Sequence, residues 1–304
     1  MNTNTQVLKF FFIMFSLYHS ILVFSINNSD LVIFSFDRAM QLYALLESTE
    51  KYIKGLNDIF VLYRVSNKLH DKSYLEIQKR FKNLNIKMIK QGLKPKSDFK
   101  QLLFGIIKNS KTPGIMFAVD DNIVTDFIDL NDCWLAINSI KDIPIFGFYL
   151  RLGKNITYSN VRDIFSSPLP EVNNMANDMF YWSFNSGGIY WKYPNSLDMV
   201  LYKKNDILLE IFSLKFSSPN TLEGKWASSF KKTSQFGLCY DHSKVINIPA
   251  NLVQKDWKNP NMSYFSIQNL LEKFQQGYKI DISKFYKIDN KCPHHEEIYT
   301  FIKR

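Results

Sequence analysis

The sequence predicts an α/β domain built on a mainly parallel β-sheet with helices on both faces. In the first half of the chain, strand-like and helix-like segments alternate, as they do in consecutive βαβ units. The strand-like segments at 31–36 and 114–119 are continuous apolar runs, which are typical of parallel strands buried on both faces. No internal repeat or glycine- and serine-rich linker divides the chain, so one domain is expected over residues 29–304.

The elements of the first half follow one another in a regular order. Residues 31–36, LVIFSF, predict the first strand, and apolar residues at helical spacing predict a helix over residues 38–53. Further strands are predicted at 59–65, 86–89 and 114–119, with helices at 72–81 and 98–108. Ligands bind beyond the carboxyl ends of the strands in such a sheet, so the residues that follow each strand are the first candidates for function.

The second half of the chain is less regular. Residues 160–177 predict an irregular surface loop, and an aromatic-rich segment follows at residues 180–193. Strands are predicted at 145–150, 199–202 and 245–248, and helices at 205–214, 222–230 and 266–275.

The N-terminal segment predicts targeting rather than fold. Residues 10–26, FFFIMFSLYHSILVFSI, form an apolar run that is short for a membrane span, which needs about 20 residues. We interpret residues 1–28 as a signal peptide or a short signal anchor, with a hydrophobic helix packed on the domain as the alternative. The expected location is therefore the membrane or the secretory pathway, with membrane association through this segment.

Composition narrows the classes of partner. A net charge of +10 predicts an anionic partner, but the lysines are dispersed and form no basic arm. We therefore expect nucleotide phosphates and no nucleic acid. The three cysteines contain no CxxC pair, which argues against a structural zinc site.

Two polar groups fall at the predicted ligand edge of the sheet. Phe36, Asp37 and Arg38 follow the first strand, and the adjacent Asp120 and Asp121 follow the strand at 114–119. Neighbouring carboxylates repel unless a cation or hydrogen-bond donors neutralise them, and oxygen ligands suit Mg²⁺ or Mn²⁺. The alternatives are an ordinary surface turn for the two aspartates and a helix cap for the first group.

These residues carry a resemblance to a known family. The segment FSFDRAMQLYALLES, at 34–48, followed by a strand ending in VDD, resembles GT-A glycosyltransferases related to the bacterial family 2 group. The resemblance implies a Rossmann-like sheet in which a DxD motif holds a metal ion and a sugar diphosphate. Asp120 and Asp121 match the acidic positions, whereas Asn122 stands where the second aspartate of a strict DxD falls.

The resemblance also assigns residues around the nucleotide and the metal ion. Phe36, Asp37 and Arg38 match the loop that lies against the base and ribose, with Arg38 able to meet phosphate. A late histidine often reaches the metal ion or the diphosphate in GT-A enzymes, which makes His294 a candidate ligand beside Asp120 and Asp121.

The sugar and the acceptor hydroxyl are assigned in the same way. The segments at 189–191 and 196–202 resemble those that line the sugar and acceptor in a smaller acceptor-side region, with Trp191 as a stacking candidate. Glu223 lies where the family carries its general base, and Asp198 is the second candidate. The alternative for Glu223 is a glutamate that stabilises a helix start, and the alternative for Trp191 is the core.

The implied function is metal-dependent transfer of a sugar from a UDP- or GDP-type donor to a glycan hydroxyl, with inversion and with Mn²⁺ or Mg²⁺ as cofactor. Two alternatives stay open. A nucleotidyltransferase shares this architecture, although Phe36, Asp37 and Arg38 lack the glycine-rich phosphate loop expected there. A catalytically inactive protein that binds nucleotide sugars or glycans is the other, favoured by Asn122.

Overall fold

The computed structural model describes residues 28–92, 94–159, 166–229, 235–253 and 264–304. Its strands are β1 (Ser29–Phe36), β2 (Ile53–Lys54), β3 (Leu56–Arg64), β4 (Ile86–Lys90), β5 (Gly114–Val119), β6 (Asn122–Val124), β7 (Ile128–Asp129), β8 (Ile145–Tyr149), β9 (Val172–Met175), β10 (Met179–Ser183), β11 (Val200–Lys203), β12 (Phe236–Tyr240), β13 (Val245–Asn247), β14 (Tyr278–Ile280) and β15 (Phe301–Lys303). Nine of these strands form the central sheet in the order β4-β3-β1-β5-β11-β8-β12-β10-β9.

Helices cover both faces of this sheet. They are α1 (Ala39–Tyr52), α2 (Lys68–Arg80), α3 (Pro95–Asn109), α4 (Leu130–Ser139), α5 (Lys204–Ser213), α6 (Pro219–Ser229) and α7 (Ile267–Gln275), with a 3₁₀ turn at Ile282–Phe285. None of the helices in the described part of the chain has both the length and the apolar character needed to cross a membrane.

The central strand β1 shows how one apolar run supplies two cores. Leu31 and Ile33 pack into a core with α1, α2, α4 and α7, whereas Val32 and Phe34 pack into a second core with α3, α5 and α6. Successive side chains of a strand point to opposite faces, so the middle of a strand between two helical layers, here residues 31–34, is apolar on both faces.

Strand direction sets the position of the ligand edge. β4, β3, β1 and β5 are parallel neighbours, and β11 runs antiparallel between β5 and β8. The carboxyl ends of β1 and β5 therefore meet at one edge of the sheet. A small two-stranded sheet of β6 and β13 continues from β5 at this edge.

The predicted α/β class, the mainly parallel sheet and its two helical layers are confirmed. The prediction of an irregular loop through 160–177 is wrong in part, because residues 172–175 form β9 at the sheet edge. Helix α2 starts earlier than predicted because the side chain of Asn67 accepts hydrogen bonds from the backbone N–H groups of Leu69 and His70. The segment 1–27 lies outside the described residues, and its targeting and membrane roles stay predictions.

Candidate active site

A cavity of about 1090 Å³ opens beyond the carboxyl ends of β1 and β5. This is the edge at which parallel sheets bind ligands. The sequence-predicted site residues that line it are Phe36, Arg38, Asp120, Asp121, Asp198, Glu223 and His294. Residues predicted from separate segments of the chain are therefore brought to one cavity.

The turn after β1 directs Arg38 toward the cavity. Asp37 has φ of 55°, in the left-handed region that aspartate tolerates better than most residues. Its carboxylate accepts a hydrogen bond of 2.8 Å from the backbone N–H of Ser66 and lies 3.8 Å from His70 Nδ1. Asp37 does not line the cavity. The structure thus places it as a turn residue and not at the predicted nucleotide contact.

Arg38 bridges the two aspartates that follow β5. Its Nη1 lies 3.0 Å from Asp120 Oδ1 and 2.9 Å from Asp121 Oδ2, and all three side chains are buried. On its other side, Nε donates to Asn251 Oδ1 at 2.9 Å and Nη2 donates to the Asn251 carbonyl oxygen. Burial lowers the pKa of Arg38, but the two carboxylates outweigh burial and hold the pKa above its ordinary value. The guanidinium is therefore a fixed positive charge.

Asp120 is also held by the end of β1. Ser35 Oγ donates to Asp120 Oδ2 at 2.8 Å, and the backbone N–H of Phe36 donates to the same oxygen at 3.2 Å. Burial raises the pKa of Asp120 to about 6, although Arg38 acts in the opposite direction, and the charge of Asp121 adds to the rise. At neutral pH the carboxylate is mainly ionised.

A hydrogen-bonded chain connects Asp121 to His294. Asn247 Nδ2 donates to Asp121 Oδ1 at 2.6 Å, which fixes the orientation of the amide. Asn247 Oδ1 then accepts from His294 Nδ1 at 3.0 Å, so the proton is assigned to that nitrogen. Burial, followed by the charge of Arg151, lowers the pKa of His294 to about 3, with Asp121 acting against them. The imidazole is therefore neutral near pH 7.

Glu223 and Asp198 form a second acidic group in the cavity. The backbone N–H of Leu197 donates to Glu223 Oε1 at 2.9 Å, and Arg151 Nη2 lies 2.8 Å from Asp198 Oδ2. Burial raises the pKa of Glu223 to about 7, and the charge of Asp198 adds to this, while the Leu197 N–H and Arg151 oppose it. A carboxylate with a pKa near 7 suits proton transfer at neutral pH.

Asn122 has a structural use that accounts for the departure from a strict DxD. Its side chain is fully buried, and its Oδ1 accepts from the backbone N–H of Val119 at 3.0 Å. Its Nδ2 lies 3.5 Å from Asp198 Oδ1, and the residue does not line the cavity. The Asn122 amide stabilises the turn after β5 through this hydrogen bond, and Asn122 is therefore not placed to coordinate an ion in the cavity.

The acidic pair does not fit the divalent ion that the resemblance implies. The four carboxylate oxygens of Asp120 and Asp121 already accept hydrogen bonds from protein groups. His294 reaches Asp121 only through Asn247. Across the described ranges, no group of three or more His, Cys, Asp and Glu side chains is arranged to hold a metal ion. Arg38 offsets one of the two negative charges for which Mn²⁺ or Mg²⁺ was predicted.

Trp191 belongs to the hydrophobic core rather than to the cavity wall. Its side chain is completely buried, with its ring centroid 5.0 Å from that of Trp182 and 6.0 Å from that of Phe180. Its chain neighbours Tyr190 and Lys192 line the cavity instead. The structure therefore does not place Trp191 as the predicted stacking residue, because its surface packs against other aromatic rings.

Arg151, Asn247 and Asn251 line the cavity and contact its charged residues, but the sequence does not single them out. Arg151 comes soon after β8, in the same relation to its strand as the aspartates have to β5, so the signal was available. Asn247 and Asn251 lie at and beyond the end of β13, where no local pattern separates a site residue from an ordinary turn asparagine.

Comparison with known proteins gives one informative sequence match. No family model matches the chain. Over 268 residues it is 32% identical to the bifunctional glycosyltransferase pgtA of Dictyostelium discoideum. This chain is similar to a glycosyltransferase. The match covers 78% of the chain but 34% of the relative, so the chain spans about a third of that protein's length.

Solved structures show similarity at lower identity. Residues 1–349 of TarS from S. aureus match 72% of this chain and 59% of that chain, with 12% identity and a TM-score of 0.46. GalNAc-T7 with UDP, GalNAc and Mn²⁺ matches 81% of this chain and 47% of that chain, with 14% identity and a TM-score of 0.47. The resemblance to glycosyltransferases noted in the sequence motifs is confirmed by the match to pgtA.

Proposed function

We propose that this chain transfers a sugar from a nucleotide diphosphate donor to a hydroxyl group of a glycan. The observation that carries this proposal is the shared cavity, which is lined both by Arg38 with its two aspartates and by Glu223. The similarity to pgtA supports the reaction class. The volume of the cavity, about 1090 Å³, is at the upper end for small-molecule pockets, which suits a donor and an acceptor together.

The donor end of the cavity is assigned from its charge and its aromatic surface. The guanidinium of Arg64 lies over the ring of Phe36, 3.7 Å from its centroid, and both residues line the cavity. A planar nucleobase can pack against this pair, since guanidinium and aromatic groups both stack. Lys96 and Lys192 also line the cavity and offer positive charge to a diphosphate.

Glu223 is the proposed general base. As the acceptor oxygen bonds to the anomeric carbon, the bond from that carbon to the phosphate oxygen breaks, and the hydroxyl proton passes to the Glu223 carboxylate. One displacement of this kind inverts the configuration at the anomeric carbon. Asp198 is the weaker candidate, because its carboxylate is engaged by Arg151 at 2.8 Å.

The test is release of nucleotide diphosphate. The full chain is incubated with UDP- and GDP-sugars and glycan acceptors, and UDP, GDP and the glycosylated product are measured. We expect Glu223→Gln to abolish most transfer while nucleotide binding persists. Glu171→Gln, at an exposed position, is the matched control. Full transfer activity in Glu223→Gln would remove that residue from the mechanism.

The same assay separates the two alternative functions. Release of pyrophosphate from a nucleoside triphosphate and sugar phosphate would indicate nucleotidyl transfer. Thermal stabilisation by nucleotide sugars without any product would indicate a binding protein.

A further inference from the structure

We infer that Arg38 takes the place of a divalent ion in this site, so that nucleotide diphosphate binds without metal. The inference rests on the proposed function for the class of ligand. Its starting observation is the position of the Arg38 guanidinium, which contacts Asp120 and Asp121 through one nitrogen at 3.0 and 2.9 Å.

The acidic pair has no carboxylate oxygen without a protein donor. Arg38 donates a hydrogen bond to one carboxylate oxygen of each aspartate. The other Asp120 oxygen accepts from Ser35, and the other Asp121 oxygen accepts from Asn247. A divalent ion bound between the two carboxylates would compete directly with the guanidinium, since both need the same facing oxygens.

Displacing Arg38 is opposed by the rest of its contacts. Its Nε and Nη2 are bound by the side chain and the carbonyl group of Asn251, and its backbone N–H donates to Tyr74 Oη at 3.2 Å. Arg38 is 8% exposed. Moving a buried guanidinium away from two carboxylates would leave charges unpaired, which is strongly unfavourable.

The described residues give the cavity a net positive charge without a bound ion. Among them, five cationic side chains line the cavity against four acidic ones, with His294 neutral. The cationic residues are Arg38, Arg64, Lys96, Arg151 and Lys192, and the acidic residues are Asp120, Asp121, Asp198 and Glu223. The cationic side chains therefore offer an anionic diphosphate positive charge that does not depend on a metal bridge.

The experiment measures Mn²⁺ alone and nucleotide diphosphate separately on the full chain. Electron paramagnetic resonance detects bound Mn²⁺, and calorimetry gives the dissociation constants of UDP and GDP with EDTA or with Mn²⁺. For the wild type we expect no bound Mn²⁺ and the same dissociation constants in both buffers.

Arg38→Met keeps the length of the side chain but removes its charge. We expect this variant to bind Mn²⁺ at the freed carboxylates and to bind UDP or GDP about tenfold to a hundredfold more weakly in EDTA, the loss of one charge-assisted hydrogen bond. Arg38→Lys keeps the charge and should still exclude Mn²⁺. If Arg38→Met fails to fold, as judged by circular dichroism, the Arg38→Lys and wild-type arms still decide the question.

Either of two results would overturn the inference: wild-type protein that binds Mn²⁺, or Mn²⁺ that tightens wild-type UDP or GDP binding about tenfold or more. Failure of the proposed function looks different. In that case neither UDP nor GDP binds in any buffer, while the Mn²⁺ measurement still decides whether Arg38 excludes the ion.

Discussion

Replacing Glu223 by glutamine should stabilise the protein at high pH while removing activity. The ordinary pKa of the group is 4.5, and in the folded protein burial raises it to about 7, with the charge of Asp198 adding to the effect. Between these two values the folded state holds a proton that the unfolded state has lost. Stability therefore falls as pH rises through this interval, and above pH 7 the folded protein carries the full cost of the buried charge.

The magnitude follows from the two pKa values. Their difference corresponds to about 3 kcal/mol at most, and partial exposure of Glu223 reduces this to about 1–3 kcal/mol. Glutamine does not ionise, and its amide oxygen can still accept the 2.9 Å hydrogen bond from Leu197. The free energy of unfolding of the variant should therefore exceed that of the wild type by this amount at pH 8 and by little at pH 5.

Denaturant unfolding of both proteins at pH 5 and pH 8 measures the effect, with Glu171→Gln as the control. Transfer activity measured in parallel should fall by about a hundredfold to ten-thousandfold, the usual contribution of a general base. A stability difference between variant and wild type that is the same at both pH values would refute the raised pKa. If the stability difference shows a raised pKa for Glu223 but Glu223→Gln keeps full transfer activity, Glu223 lies in the described environment and is not the general base.

Three further substitutions test the site and its frame. Asn122→Asp would complete a strict DxD, yet we expect a loss of about 1–3 kcal/mol in unfolding free energy, because the new charge faces Asp198 at the 3.5 Å contact. Trp191→Leu should lower the unfolding free energy by about 3 kcal/mol and leave the dissociation constant for UDP unchanged, since the ring is in the core; weaker UDP binding in a folded variant would return Trp191 to the site. Ser35→Ala removes the 2.8 Å donor to Asp120 and should lower the unfolding free energy by about 1 kcal/mol at pH 8 but less at pH 5, measured by denaturant titration.

The sheet could be predicted where burial is complete. β1 packs against helices on both faces, and residues 31–34 at its middle form an uninterrupted apolar run. β9 could not be recognised in the same way. Among the described strands it pairs only with β10 at the sheet edge, and its sequence VNNM contains two exposed asparagines. An edge strand that is held mainly by backbone hydrogen bonds needs no regular alternation of apolar and polar side chains, so its sequence does not predict it.

The position of the site was more predictable than its contacts. Arg38 and Asp120 both follow strands that end at one edge, and sheet topology alone brings them close together. Their ion pair, and the Asn251 side chain that holds Arg38 from 213 positions away, depend on tertiary packing. The metal prediction started from two aspartates that need a cation or hydrogen-bond donors, and Arg38 with the donors Ser35 and Asn247 meets part of that need within the chain.

The hydrogen bonds from Asp121 through Asn247 to His294 determine which parts of the chain a bound nucleotide would make more rigid. The two hydrogen bonds join residues 126 and 47 positions apart in sequence, so one wall of the cavity is built from distant segments of the chain. A bound nucleotide would restrain the polypeptide near residue 294 together with the turn after β5. Slower amide hydrogen exchange should then appear in both regions at once, although they are far apart in sequence.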